Sequence, residues 1–262
     1  MAASRGSAPI SPTACARRLP EAARDGLRGP DDPIYYGRRR GRRLNRDRRA
    51  RLAETLPRYR VALPETGLLD LGALFARPMR AFWLEIGFGN GEHLAAQAAA
   101  HRDIGCIGCE PYVNGVSMAL RHIAEAGLDN FMILADDARK LLPVLPEASL
   151  DRVFLLFPDP WPKARHHRRR FLQPAVLDQL ARVMAEGAIL RLATDHRELG
   201  RFMLGTALRH PAFEWLAEKA SDWRSPPPDH MASRYQAKSL DRGVGSLYMD
   251  LRRRARGPEK TP

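Results

Sequence analysis

From Ala81 to His210 the chain alternates short, almost wholly apolar runs with amphipathic ones, and few architectures accept that rhythm. The runs "AFWLEIG", "IGCIGCE", "FMILADD", "LDRVFLLFPDP" and "AILRLATD" read as strands. Between them, "NGEHLAAQAAA", "NGVSMALRHIAEAG", "FLQPAVLDQLARVMAEG" and "HRELGRFMLGTALRH" read as helices, with "ARKLLPVL" a short helical turn. A strand that is apolar at nearly every position has both faces buried, the condition of a parallel strand covered by helices above and below. Right-handed crossovers then predict a doubly wound, mostly parallel α/β sheet with ligands at the carboxyl ends of its strands. Two later runs, "FEWLAE" and "SLYMDLRRR", bring the expected strands to seven.

With 262 residues, 44% of them hydrophobic, the chain has enough apolar surface to bury one sizeable core. The formal net charge is +13, and the basic residues are clustered, at "GRRRGRRLNRDRRAR", "KARHHRRR" and "RRRAR". Separate basic clusters around one domain are the electrostatic footprint of a phosphate backbone. Residues 1–33, rich in Ala, Ser, Pro and Arg without periodicity, are expected to form a disordered extension. Residues 34–60 form a basic segment, in which Arg38 to Leu56 reads as a polar helix ended by Pro57. The main domain is expected over 61–254, with a flexible tail at 255–262. No apolar run has the length of a membrane span and no signal-peptide pattern opens the chain, so the expected location is the cytoplasm. Cys106 and Cys109 form "CIGC", but no second pair completes a zinc site. In a strand, positions three apart point to opposite faces, so these are expected to be two buried thiols, and no metal is expected.

Several motifs fall at the expected strand ends. "LEIGFGNGEHL" places Glu85, Gly87, Gly89 and Gly91 at a strand-to-helix turn, where glycine lets the backbone turn tightly and approach a ligand. The acid ahead of the glycines favours a ligand with a cationic part. Glu110 ends the second strand, about 20 residues beyond the glycines, where a carboxylate accepts from ribose hydroxyls. That arrangement serves a nicotinamide dinucleotide as well as an adenosyl cofactor. In "ADDA" at the end of the third strand, Asp137 is placed to accept from an adenine amino group, with Asp136 as a helix cap. Asp159 and Asp195 end the next two strands, so five acids together describe an acidic cleft in a basic protein. An oxidoreductase reading leaves Glu85, Asp159 and the basic clusters unexplained, and a non-catalytic RNA-binding module leaves the acids unexplained.

The most specific stretch is "FPDPWPKARHHRRR", in which an aspartate boxed between prolines leads into a basic run. Together with "LEIGFGNGEHL", "GCEPY", "ATDHREL" and the late "SRYQ…DRG", it resembles the bacterial tRNA (guanine-N7-)-methyltransferases over about Arg38 to Arg253. The resemblance implies a Rossmann-like class I methyltransferase fold, S-adenosylmethionine as cofactor and tRNA as partner. It implies methylation of guanosine 46 of the variable loop. It also implies cofactor contacts at Glu85, Glu110, Asp137 and Asp159, beside the glycine loop. Substrate contacts are implied at Lys163, Asp195 and the turn of Ser233, Arg234, Tyr235 and Gln236. RNA contacts are implied at Arg165, His166, His167, Arg168, Arg169 and Arg170. Pro162 stands where the family usually has histidine, and Gln236 where it usually has glutamate. Guanine N7 carries an in-plane lone pair, so methyl transfer needs positioning and charge stabilisation rather than a strong base. Asp159, directed by prolines on both sides, is the expected catalytic carboxylate. Asp195 is expected to accept from guanine N1–H and the exocyclic amine. Trp161 reads as a core anchor, with stacking on the base the alternative.

Overall fold

The basic segment does not form the single helix expected from Arg38. In the computed structural model, which describes residues 35–231 and 245–256, the stretch from Tyr35 to Asn45 has no helix. Its backbone is instead tied to the helix behind it: Val113 N–H donates to the Arg39 carbonyl at 3.0 Å, and Gly41 N–H to Asn114 Oδ1 at 3.1 Å. Helix α1 (Arg46–Glu54) starts only after Asn45, whose side chain accepts from Arg48 N–H. That is the standard N-cap arrangement. Pro57 does not simply end it, because it occupies the first turn of the four-residue α2 (Leu56–Tyr59), where its missing N–H costs nothing.

The sheet then follows the predicted alternation. In order come β1 (Ala81–Ile86), α3 (Glu92–Ala100), β2 (Ile104–Cys109), α4 (Val113–Glu125), β3 (Phe131–Leu134) and α5 (Ala138–Leu141). They are followed by β4 (Leu150–Leu156), α6 (Pro174–Val183), β5 (Met184–Thr194), α7 (Arg197–Leu208), β6 (Phe213–Trp215), α8 (Ser221–Arg224) and β7 (Leu247–Arg253). Strand order is β3-β2-β1-β4-β5-β7-β6, with β7 antiparallel to β5 and β6 and the other pairings parallel. The helix expected to run to Gly187 stops at Val183, because Met184 turns extended and pairs with Leu150 of β4. Pro174 opens α6, as its fixed φ suits a first turn.

Apolar clusters cover both faces of the sheet. One face packs Leu84, Ile86, Ile107 and Cys109 against Leu177 and Leu180 of α6 and Leu199 and Met203 of α7. The other packs Trp83, Cys106 and Phe154 against Leu94 of α3 and Leu120 and Ile123 of α4. Cys106 and Cys109 therefore lie on opposite faces as expected, and burial pushes the Cys106 thiol up to about 12 and the Cys109 thiol well above its ordinary value. Crossovers leave β1 toward β2 on one side and reach β4 on the other. The carboxyl ends of β1 and β4 thus form a topological switch point, where open α/β sheets hold ligands.

Candidate active site

At that switch point lies a cavity of about 590 Å³, lined by Gly87, Gly89, Glu110, Asp137, Asp159 and Trp161 among others. The turn after β1 enters it because Gly87, Gly89 and Gly91 all adopt left-handed φ, at 72°, 58° and 77°. At Gly87 and Gly89 a side chain would meet nothing within 4 Å, so the backbone there borders open space. Gly91 instead faces α4, where a Cβ would come within 2.6 Å of the Ala119 Cβ. Glu110 ties this turn to the next one. Its Oε2 accepts from Gly89 N–H and its Oε1 from Tyr112 N–H, each at 2.8 Å. Burial outweighs these two hydrogen bonds and raises its carboxyl to about 7.

The third strand contributes differently from expectation. Asp137, not Asp136, caps the following helix: its Oδ1 accepts from Arg139 N–H at 2.9 Å, and its Oδ2 pairs with Arg139 Nη2 at 2.6 Å. Asp136 pairs with Arg39 and Lys140, and these cations together with the Asp137 N–H hold its carboxyl below its usual range against the opposing effect of burial. The ion pair with Arg39 fastens the basic segment over the cavity, where Tyr35, Tyr36, Gly37 and Arg38 form one wall. The Tyr35 phenol is raised to about 12, by burial first and then by Glu110, Asp159 and Asp137. Composition hid this wall. The one signal was a pair of adjacent aromatics, "YYGRRR", at the start of an otherwise polar, basic run.

The proline-boxed corner adds Phe157, Pro158, Asp159 and Trp161 to the cavity lining. Phe157 and Trp161, on either side of Asp159, adopt left-handed φ of 50° and 42°, uncommon for non-glycine residues. The strain is held by Phe157 N–H donating to the Ala193 carbonyl at 2.8 Å and by Arg170. Arg170 is buried; it donates to the Pro160 carbonyl at 3.0 Å and to Glu198 at 2.7 Å. It is therefore a brace for the corner, and the expectation that it meets RNA is corrected: its guanidinium is buried and held by Glu198 and the Pro160 carbonyl instead of being presented to a phosphate. The rest of the run forms a 3₁₀ turn over Ala164–Arg169. Arg165 and Arg168 are exposed, His166 is half-buried, and His167 lies 3.1 Å from Glu198. Arg169 turns inward to line the cavity.

The five acids do not form one cleft. Glu85 is buried inside β1 with its Oε2 2.7 Å from His93 Nδ1 and is not part of the cavity lining, because its side chain points beneath the glycine turn. Asp195, half-buried at the end of β5, and the exposed Lys163 also lie outside the lining. Ser233, Arg234, Tyr235 and Gln236 lie outside the described residues, as do the expected 1–33 extension and most of the 255–262 tail. Among the described residues no group of three or more His, Cys, Asp or Glu side chains is arranged to hold a metal, and no helix is long and apolar enough to cross a membrane.

The model of a putative methyltransferase family matches residues 79–247. The tRNA (guanine-N(7)-)-methyltransferase of Rhodospirillum rubrum is 47% identical over 234 residues, covering 87% of this chain and 91% of that protein. The protein of that name from Ruegeria pomeroyi is 48% identical over 232 residues, covering 86% of this chain and 97% of its own. Among solved structures, the 16S rRNA methyltransferase KamB is similar with a TM-score of 0.51 at 14% identity, over 72% of this chain and 96% of that one. At that identity the likeness concerns the fold alone.

Proposed function

Because this chain belongs to the tRNA (guanine-N7-)-methyltransferase family, we propose that it transfers the methyl group of S-adenosylmethionine to N7 of a guanine in tRNA. The finer target in this proposal is guanosine 46 of the variable loop. The observation that carries the reading is one cavity that gathers the glycine turn, Glu110, Asp137 and Asp159.

The residues present fit the cofactor. The open space beside Gly87 and Gly89 is a cradle that side chains would fill, so backbone there is free to approach a ligand closely. Glu110 uses one lone pair of each oxygen on a backbone N–H, and the others remain to accept from two ribose hydroxyls. Asp137 Oδ1 and Oδ2 are both engaged by Arg139, which aims the carboxylate into the cavity to accept from an exocyclic amine. When bound, S-adenosylmethionine supplies an electrophilic methyl on a sulfonium centre. Glu85 enters this scheme only as a support, holding His93 under the glycine turn.

Asp159 is the residue we assign to the chemistry. It has no cationic partner among the described residues, and the prolines on both sides fix its direction. As N7 gains the methyl, positive charge moves onto the purine, and a carboxylate held at that place stabilises it without reorganising. Exposed Arg165 and Arg168, together with the exposed arginines of the basic segment, present charge to the phosphate backbone around the cavity mouth. A tRNA substrate supports a cytoplasmic location for the reaction.

Incubation of unmodified tRNA with methyl-labelled S-adenosylmethionine tests this directly. Label should appear at a site that reduction and aniline cleave, as they do at N7-methylguanosine. Label elsewhere in the tRNA, or in no nucleic acid, overturns the reading.

A further inference from the structure

Arg169 is held in an unusual way. Its guanidinium carbon lies 4.9 Å from the centre of the Tyr36 ring and 5.0 Å from that of Trp161. The two rings meet edge to face, 6.4 Å apart and at 74°, so they form two walls of a corner with the cation in the angle. Among the described residues no carboxylate pairs with Arg169, and its Nε is buried without a hydrogen-bond partner. Its neighbour Arg170 is the opposite case, engaged by Glu198 and by backbone carbonyls. An arginine held by ring faces alone, with a buried donor unsatisfied, is a replaceable occupant. All three side chains line the cavity that holds Asp159, and Trp161 is kept at a strained φ of 42°.

We propose that the Tyr36–Trp161 corner is the stacking site for the target base, and that Arg169 is its resident competitor. The proposal rests on the methyltransferase reading above. A guanidinium and a purine are both flat, and aromatic faces accept either. The chemistry gives the competition a purpose. Before the transfer the purine is neutral and stacks on the rings beside Asp159. Afterwards it is a cation, which both the rings and Asp159 hold more tightly than the substrate. A second cation tethered within reach of the same faces opposes that product binding and favours its departure. Arg169 thus keeps the corner filled when no base is present and reclaims it when the methylated base must leave.

The experiment has two arms, both with the intact enzyme. In the first, Tyr36→Leu and Trp161→Leu remove a face, and Tyr36→Phe and Trp161→Phe keep one. Single-turnover methylation at saturating tRNA and cofactor should fall about tenfold or more in each leucine variant and stay within about threefold in the phenylalanine variants. The circular dichroism spectrum and melting temperature should change little in any of them, which shows that each variant is folded. Equal rates in the leucine and phenylalanine variants overturn the stacking site. In the second arm, free 7-methylguanosine is the inhibitor, chosen because it has no phosphate for an arginine to bind. Arg169→Ala should lower its inhibition constant by about tenfold, with a smaller change for neutral guanosine. An unchanged constant overturns the competitor role. Failure of the wild-type enzyme to methylate tRNA at all is a separate result, and it refutes the proposed function rather than the stacking site.

Discussion

Asp229 and Asp250 meet their charge partners inside the protein, whereas Glu110 and Asp159 face the cavity with no cationic partner among the described residues. Asp250 of β7 stands directly opposite Arg191 of β5 and takes its guanidinium at 2.8 and 2.7 Å. Asp229 takes the same guanidinium at 2.7 Å and Arg152 at 2.6 Å. Burial alone would raise the Asp229 carboxyl, but the two arginines outweigh it and hold it below its usual range. At Glu110 burial faces only two backbone donors, and the carboxyl rises to about 7. The contrast separates charge that the fold consumes from charge that it leaves for a ligand. A satisfied ion network fixes geometry, while an uncompensated carboxylate in a cavity is ready for a partner that arrives later.

The sharpest way to break that contrast is to remove the cation from the internal network. Arg191→Met leaves the half-buried Asp250 without this cation and Asp229 with Arg152 alone, and should cost about 1.5 to 3 kcal/mol of folding stability. Chemical denaturation measures this, and a variant as stable as wild type would show that the network contributes no more than surface pairs do. On the cavity side the same kind of change should spare stability and remove function. Asp159→Ala is expected to slow methyl transfer by about 100-fold or more, with the melting temperature and tRNA binding kept. Near-normal turnover would move the charge-stabilising role to another residue.

Glu110 allows a graded test through pH. Its folded-state pKa of about 7 lies above the ordinary 4.5, so the native protein keeps a proton that the unfolded chain has released. Ligand-free stability should therefore fall as pH rises from about 4.5 to about 7 and level off above. In the proposed binding mode the ribose hydroxyls donate to Glu110, which is the stronger acceptor when ionised, so affinity for S-adenosylhomocysteine should run the other way. It should rise up to about tenfold per pH unit below neutrality and then plateau. Calorimetric titration across that window settles the sign, and Glu110→Gln should flatten it. The smallest effect concerns the basic run. Charge reversal at Arg165 and Arg168 should leave folding intact and lower the salt dependence of tRNA binding by about 1 per lost phosphate contact. Charge reversal at Arg170 should instead disrupt the corner, since that side chain braces Pro160 and Glu198 rather than reaching solvent.

Much of the site was legible because its positions are tied to chain order. Glycines after β1, an acid after β2 and a proline-boxed aspartate after β4 all fall where a strand must end, and a parallel sheet places all those ends on one edge. What a side chain does once there was less legible. Asp136 and Asp137 are adjacent and chemically identical, and only the backbone's turn into α5 decides which one caps it. Glu85 sits in the motif, yet strand alternation turns it beneath the loop toward His93. Among the run from Arg165 to Arg170, the burial of Arg170 and the inward turn of Arg169 follow from the direction of a 3₁₀ turn, which composition does not encode.

By itself the sequence determined the alternation of strands and helices, the parallel character of the sheet and the edge at which ligands would gather. Those follow from local periodicity and from backbone handedness, which act along the chain. Only the tertiary structure decided which charges are cancelled and which remain. It brought Arg191 to Asp229, 38 residues away, and Arg39 to Asp136, 97 residues away. It also laid Tyr36 beside Trp161 to form a corner with no trace in either local motif. Compensation of charge is a property of neighbours in space, and neighbours that far apart in sequence exist only once the chain has folded.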